Sequence, residues 1–419
     1  MGWLGLFTTL NAGCGSSADE KSQATDVGTE DVVANDWDLF EFDGGHDLTI
    51  PDSGALSACT PLSMARAGLP DASFASPYGV IVIDDLVVVT NANLDPSFTP
   101  GVGWLSVVDA TTLEVKNRIE LPQTNPQFVT HDGNVVYVSM SGPSVYDLET
   151  GLFFGTGKSG VAMIHKNNLT AANRMDGNIE FAVPEPGSLS GFPGSLITLP
   201  NTNHLFVGSG TGPQVYVIDT VTCTFASNPT TPWLATPEDG FNHLIYVGRS
   251  PDNHLLVTDF NSGTLQWWDS TTGTIIGEPV STKVDAEESF TGPSFPEPYE
   301  NYVVLLNAVS QSVVRISPTE GTQWIADVGS YPNRLSVLDD AAYVTVASPF
   351  ESGNPDYVAR IDLKTGAIDP EFATLDPQTN PMSVAWHQPT NRLFVSGNSS
   401  NTVLVLDGNT GAIQKVLGP

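Results

Sequence analysis

Cationic side chains are scarce in this chain: 15 Lys and Arg stand against 47 Asp and Glu over 419 residues, a formal net charge of −32. So negative a surface repels phosphate backbones and keeps the protein soluble, which excludes nucleic acid as a partner and favours a monomer. A solvated acidic surface is the plain reading of this excess; cation binding by surplus carboxylates is the alternative. Cysteine is nearly missing too, with three residues and no Cys-x-x-Cys pair, so a zinc knuckle or an attached haem is excluded. No apolar run reaches the roughly 18–20 residues that a membrane-spanning helix needs. There is no Gly-x-Ser-x-Gly elbow, and "GTGKSG" at 155–160 places Lys158 at the wrong spacing for a phosphate loop, with no helical pattern after it. What the chain has instead is 39 Gly and 31 Pro, a composition suited to many short strands joined by turns.

The N-terminus, "MGWLGLFTTLNAGCGSSADE", is an apolar run ending in small residues and a Cys, then a polar stretch. It resembles a bacterial lipoprotein signal peptide, with Ala12, Gly13 and Cys14 matching the end of the box whose Cys is lipidated. Leu10 sits one place early and no Lys or Arg precedes the run. A plain leader or a buried strand is the other reading. On the resemblance, residues 1–14 are signal peptide and lipobox, and 15–74 an acidic tether with Trp37, Leu39 and Phe40 as docking candidates. Cys59 and Cys223 then remain as a candidate disulfide in an oxidising compartment, a bond typically worth about 2–4 kcal/mol. Two separate buried thiols are the alternative.

The rest of the chain repeats. "WLSVVDATTLEV", "VAMIHKNNLTAA", "QVYVIDTVTCTF", "LQWWDSTTGTII", "VVRISPTEGTQW", "VARIDLKTGAID" and "VLVLDGNTGAIQ" align on Asp109, His165, Asp219, Asp269, Ser317, Asp362 and Asp407. Successive marks lie 56, 54, 50, 48, 45 and 45 residues apart. Each copy holds four strand-like runs; in the last they are "PMSVAWH", "RLFVSGN", "TVLVLDG" and "AIQKVLG". The Asp can accept from amides two residues on, and the Gly supplies the positive φ that closes a hairpin. A four-stranded unit of this size repeated radially is a propeller blade. The fold class is therefore all-β: a seven-bladed β-propeller of four-stranded antiparallel blades over residues 75–419, with eight blades as the alternative. "VYDLETGLFF" at 145–154 carries a further Asp-x-x-Thr-Gly without four strands around it, and reads as an insertion between the second and third strands of blade two.

"LFV", "NTVLVLD" and "NTGAI", with "VVVTNAN" and "AYVTVAS" close to the motif itself, resemble the YVTN β-propeller repeat family of bacterial surface and periplasmic proteins. That resemblance implies the fold and an envelope address; it implies no activity, since propellers host scaffolds, lactonases, quinoproteins and metal enzymes.

In a propeller the first strand of each blade lines the channel. Here those strands start at Pro77, Pro126, Pro193, Asn242-His243, Pro293, Pro332 and Pro381. Tyr78, Gln127, His243, Asn333, Arg334 and Met382 are the binding candidates at that mouth, Arg334 being a rare cation able to hold an anion or a peptide carboxylate. The competing reading pairs Arg334 with a neighbouring carboxylate to knit two blades. His131, His243 and His387 do not share a depth and make a poor metal set; no catalytic residue and no metal ligand is assigned. A quinone site would need a docking Trp after "TGTII", "TGAID" or "TGAIQ", and none is there. "QWWD" points Trp267 and Trp268 to opposite faces, so one at least packs between blades, with a sugar platform as the alternative. The long second-to-third-strand loops at 91–103 and 347–356, together with the 141–160 segment, gather on one rim and could form a recognition surface.

The expectation is a lipid-anchored propeller of the bacterial cell envelope, an outer-membrane lipoprotein facing periplasm or cell surface. It would bind a protein or cell-surface polymer, touch the membrane through its lipid alone, and need no cofactor. The alternative is a channel-mouth hydrolase or lactonase, for which calcium is the candidate ion.

Overall fold

The Asp-x-x-Thr-Gly turns set the sheet. The computed structural model describes residues 68–146, 153–155, 159–170, 179–182, 193–200, 202–210, 214–222, 224–225, 233–234, 244–285, 290–349 and 352–419. In it Asp269 accepts from the amides of Thr271 and Thr272, both at 2.8 Å, and Asp407 from those of Asn409 and Thr410, both at 3.0 Å. Asp109, Asp219 and Asp362 accept from the same two positions. Gly411 closes its hairpin at φ 70°, in the left-handed region that only glycine enters freely.

These turns join the third and fourth strands of successive sheets. The first sheet is β1 (Pro77–Ile83), β2 (Leu86–Asn91), β3 (Trp104–Asp109) and β4 (Val115–Glu120). The second is β5 (Pro126–His131), β6 (Val135–Met140), β9 (Gly160–His165) and β10 (Ile179–Ala182). Between β6 and β9 sits a separate hairpin, β7 (Ser144–Tyr146) and β8 (Phe153–Gly155), the insertion expected there. The third has β11 (Pro193–Thr198), β12 (His204–Ser209), β13 (Gln214–Asp219) and β14 (Thr224–Phe225), with β15 (Trp233–Leu234) also on β13. The fourth runs β16 (Val247–Arg249), β17 (Leu255–Asp259), β18 (Thr264–Trp268) and β19 (Ile275–Ser281). The fifth runs β20 (Pro293–Tyr299), β21 (Tyr302–Asn307), β22 (Ser312–Ser317) and β23 (Gly321–Asp327). The sixth is β24 (Pro332–Leu338), β25 (Ala341–Val346), β26 (Asp356–Asp362) and β27 (Ile368–Leu375). The seventh is β28 (Pro381–His387), β29 (Arg392–Gly397), β30 (Thr402–Asp407) and β31 (Ile413–Leu417).

The first strands touch one another in cyclic order, from β1 through β5, β11, β16, β20, β24 and β28 back to β1. The chain is thus a seven-bladed β-propeller, and the eight-bladed alternative falls. Middle strands are buried on both faces, as in the uninterrupted burial of Leu255–Asp259, whereas outer strands such as Ile275–Ser281 are largely exposed. The core therefore lies in the seams between blades. Trp268 packs with Phe206 and Val217 of blade three, and Trp267 with Val303 and Leu305 of blade five. Both tryptophans are consumed by packing, so the sugar platform is corrected: neither ring offers a face to solvent.

The ring closes without strand exchange, since the first and last sheets each consist of four consecutive strands. Polar bonds fasten that seam instead. Ser396 Oγ donates to the Tyr78 carbonyl at 2.6 Å, and Arg392 donates to the carbonyls of Ala110 and Thr111. Buried His387 lies 3.2 Å from Asp85. Thr90, at the same place in its blade as Ser396, bridges to the Gln127 carbonyl at 3.0 Å, so one device serves two seams. The segment before β1 lies along blade one: Phe74 is buried, and Arg118 donates to the carbonyls of Pro70 and Ala72.

Candidate functional site

The seven first strands begin at one mouth of the channel, here called proximal, and end in turns at the other, distal mouth. Five of the proline starts, at 77, 126, 293, 332 and 381, follow a residue with positive φ: Ser76, Asn125, Gly292, Tyr331 and Asn380. A register shift then occurs within the first residues of six first strands. Such bulges re-aim side chains, and here they turn large residues onto the axis.

The result is an aromatic layer across the channel. Tyr78 meets Phe128 edge-on at 5.7 Å, Phe128 lies 6.2 Å from Tyr246, and Tyr246 lies 4.3 Å from Phe295. All four rings are buried. Phe295 holds φ at 50° within its bulge, costly for a bulky side chain and a feature that clusters at functional sites. Over its ring, 5.0 Å from the centroid, stands the guanidinium of Arg334. That cation has no ion-pair partner among the described residues, and its Nε is buried with no hydrogen-bond partner. The blade-knitting reading of Arg334 is therefore corrected: a ring, not a carboxylate, receives it.

Distal to this layer lies a cavity of about 730 Å³, walled by Arg334, Glu297, Arg249, Phe295, His131 and Asp132 among others. Its size falls within the roughly 300–1,000 Å³ of small-molecule sites. Glu297 is half-buried, and the surface it keeps faces the cavity. Withdrawal from water pushes its carboxyl up to about 7, with Arg334 and Arg249 pulling it only partly back. Burial likewise lowers the Arg334 pKa, opposed by Glu297. Burial also lowers that of His131, whose Nδ1 accepts from the Gly133 amide at 3.1 Å. Desolvation raises the phenols of Tyr78 and Tyr246, so both stay protonated. Asp132, at the distal turn, is held by the amides of Asn134 and Val135 and the Tyr137 hydroxyl.

The residues expected to form the site divide. Tyr78 and Arg334 enter the axial layer together, the guanidinium offsetting part of the rise that burial gives the Tyr78 phenol. Asn333 turns to the next blade, its Nδ2 donating to the Pro381 carbonyl at 2.7 Å. Met382 is buried in the core. Gln127 is buried with its Oε1 unpartnered. His243 lies outside the described residues, as do Cys14, Cys59, Cys223, Trp37, Leu39 and Phe40. In blade four the strand starts later than Asn242-His243 suggests: Val247 pairs with Val257, as Val80 pairs with Val89, so Leu244 takes the proline's place and Ile245 the next. Glu297 and Arg249 were missed. The legible signal was a lone Glu between Pro296 and Pro298 in a strand that otherwise buries apolar residues. Among the described residues no group of three or more His, Cys, Asp or Glu is arranged to hold a metal ion.

Solved propellers share this architecture. Virginiamycin B lyase from Staphylococcus aureus aligns with 80% of this chain and 94% of its own at 12% identity and a TM-score of 0.53. A putative 6-phosphogluconolactonase from Bacteroides uniformis aligns with 79% and 95% at 15% identity and 0.53. The Cps50 (Swd1) β-propeller domain of Myceliophteria thermophila aligns with 80% and 97% at 12% identity and 0.54. At these identities the likeness is one of fold. No protein-family model matches the chain, and no curated protein sequence matches it.

Proposed function

We propose that this propeller is a binding protein whose axial cavity captures a small ligand through a carboxylate. The observation that carries the reading is Arg334, a guanidinium in the cavity wall with no ion-pair partner among the described residues and a buried Nε that lacks a hydrogen-bond partner. An unpaired charge there is costly, and a ligand carboxylate removes the cost with charge-assisted hydrogen bonds. A thermal-shift screen of small carboxylic acids tests it. The wild type gains about 2.7 kcal/mol at a hundredfold excess over Kd, and Arg334→Gln binds the same acids at least about tenfold more weakly. Equal binding by both proteins sinks the reading.

The sequence adds an address to this proposal. Cys14 is the lipid-bearing residue, the repeat is of YVTN type, and the protein stands in a bacterial cell envelope, on the outer membrane. There the loop-rich proximal rim engages a protein or cell-surface polymer. Labelled fatty acid should attach to the wild type and not to Cys14→Ser; no label on either disposes of the anchor.

A second reading, a hydrolase of lactone type, is favoured by one observation: a carboxyl raised to about 7 shares a cavity wall with a guanidinium, so Glu297 can act as a general base near neutral pH while Arg334 steadies a developing oxyanion. Turnover of a lactone panel with a pH inflection near 7, abolished in Glu297→Gln, supports it. No turnover by the wild type sets it aside.

A further inference from the structure

The cavity wall carries charges of both signs that do not meet. Arg334 and Glu297 influence one another electrostatically, yet no ion pair joins them, and Arg334 rests on Phe295 instead. They sit on adjacent first strands, β24 and β20, Arg334 beside the aromatic layer and Glu297 beyond the bulge, nearer the distal turns. A carboxylate-only ligand satisfies Arg334 and leaves Glu297 facing a new negative charge. A cation-only ligand does the reverse. A molecule bearing both charges satisfies both groups. The surroundings agree with this polarity. The distal turn presents Asp132, held ionised by two amides and a phenol, and the chain carries −32 overall. Such a field draws a cationic group to the mouth and opposes a bare anion. Phe295, Leu196 and Ile197 add apolar lining.

We infer that the ligand is a zwitterion of the amino-acid class, its carboxylate on Arg334, its ammonium on Glu297 and an apolar or aromatic side chain against Phe295. The inference rests on the carboxylate-capture reading above. Glu297 shares its wall with Arg249, His131 and Asp132, and Arg334 and Arg249 already favour its charged form; binding completes the ionisation, a proton leaving the carboxyl for solvent as the ammonium arrives.

Calorimetry with three probes tests this on the full chain at pH 7: phenylalanine, N-acetylphenylalanine and phenylalanine amide. Phenylalanine should bind at least about tenfold more tightly than either singly charged probe. Its apparent heat should change between buffers of different ionisation enthalpy, reporting proton release. Glu297→Gln should erase both the preference over N-acetylphenylalanine and the buffer dependence, while Arg334→Gln should erase the preference over the amide. If N-acetylphenylalanine binds as tightly as phenylalanine, the zwitterion claim is overturned and carboxylate capture stands. If the amide binds as tightly, carboxylate capture falls with it. No binding of any probe at millimolar concentration overturns the inference as well. The wild-type comparison needs no variant to fold.

Discussion

The two ends of the first strands use the same backbone for opposite ends. At the proximal end several polar groups are spent on the ring itself, although Gln127 keeps an unpartnered Oε1. Asn333 bonds across to Pro381, Ser396 to the Tyr78 carbonyl and Thr90 to the Gln127 carbonyl. Beyond the aromatic layer, Arg334, Glu297 and Arg249 face a cavity, and no ion pair joins Arg334 to Glu297. A repeated fold can hold such charges because seven seams carry the stability elsewhere.

Four substitutions sharpen that contrast. Removing the divider should cost most: Phe128→Ala deletes a buried ring touching Tyr78, Tyr246 and Phe295, with an expected loss of about 3–5 kcal/mol in denaturant unfolding. At the cavity end the sign reverses. Glu297 titrates at about 7 in the fold against roughly 4.3 in the unfolded chain. Its ionisation therefore lowers stability as pH rises between those values. Without ligand, Glu297→Gln should be more stable than the wild type by about 2–3 kcal/mol at pH 8, with no gain at pH 4. Equal stability at pH 8 would mean that Glu297 is better solvated than its place in the wall implies. Asn333→Ala, at the proximal end, should cost about 1–2 kcal/mol at every pH by leaving the Pro381 carbonyl without its donor. The smallest effect belongs to Asp407, a partly exposed turn carboxylate whose pKa is lowered first by the Thr410 amide. Its contribution is present above the unfolded value of about 3.9 and fades as pH falls through the lower folded one. Asp407→Asn should therefore shift the melting temperature slightly at pH 7 and not at all near pH 2.

The fold was legible because hairpin chemistry is local. An Asp accepting from amides two and three residues on leaves the same residues in five of the seven copies, so Asp109, Asp219, Asp269, Asp362 and Asp407, with His165 and Ser317 at the matching places, give the blade spacing. The site was half legible. Arg334 stood out as a cation in an acidic chain, and its channel position followed from the repeat. Glu297 did not, because "GPSFPEPYE" breaks the strand pattern and the Phe295 bulge that aims it inward depends on tertiary packing. In blade four a missing proline slid the alignment by a residue, since Leu244 fills the place without the ring that marks it elsewhere. Whether a side chain is spent on a neighbouring blade, as Asn333 is, depends on residues some fifty positions away, as with Pro381 at a separation of 48.

Closure by whole sheets has a consequence for how such a chain can change. Each blade takes its four strands from one continuous stretch of chain, blade two carrying the β7–β8 hairpin and blade three the extra β15 within theirs, so the stretch that a duplication would copy is also the stretch that packs as a wedge. A ring of this kind can be reopened at any boundary between wedges and rejoined through its old ends without splitting a ladder. Circular permutants cut between Leu375 and Pro381 should therefore assemble, whereas a cut inside Asp356–Asp362 should not.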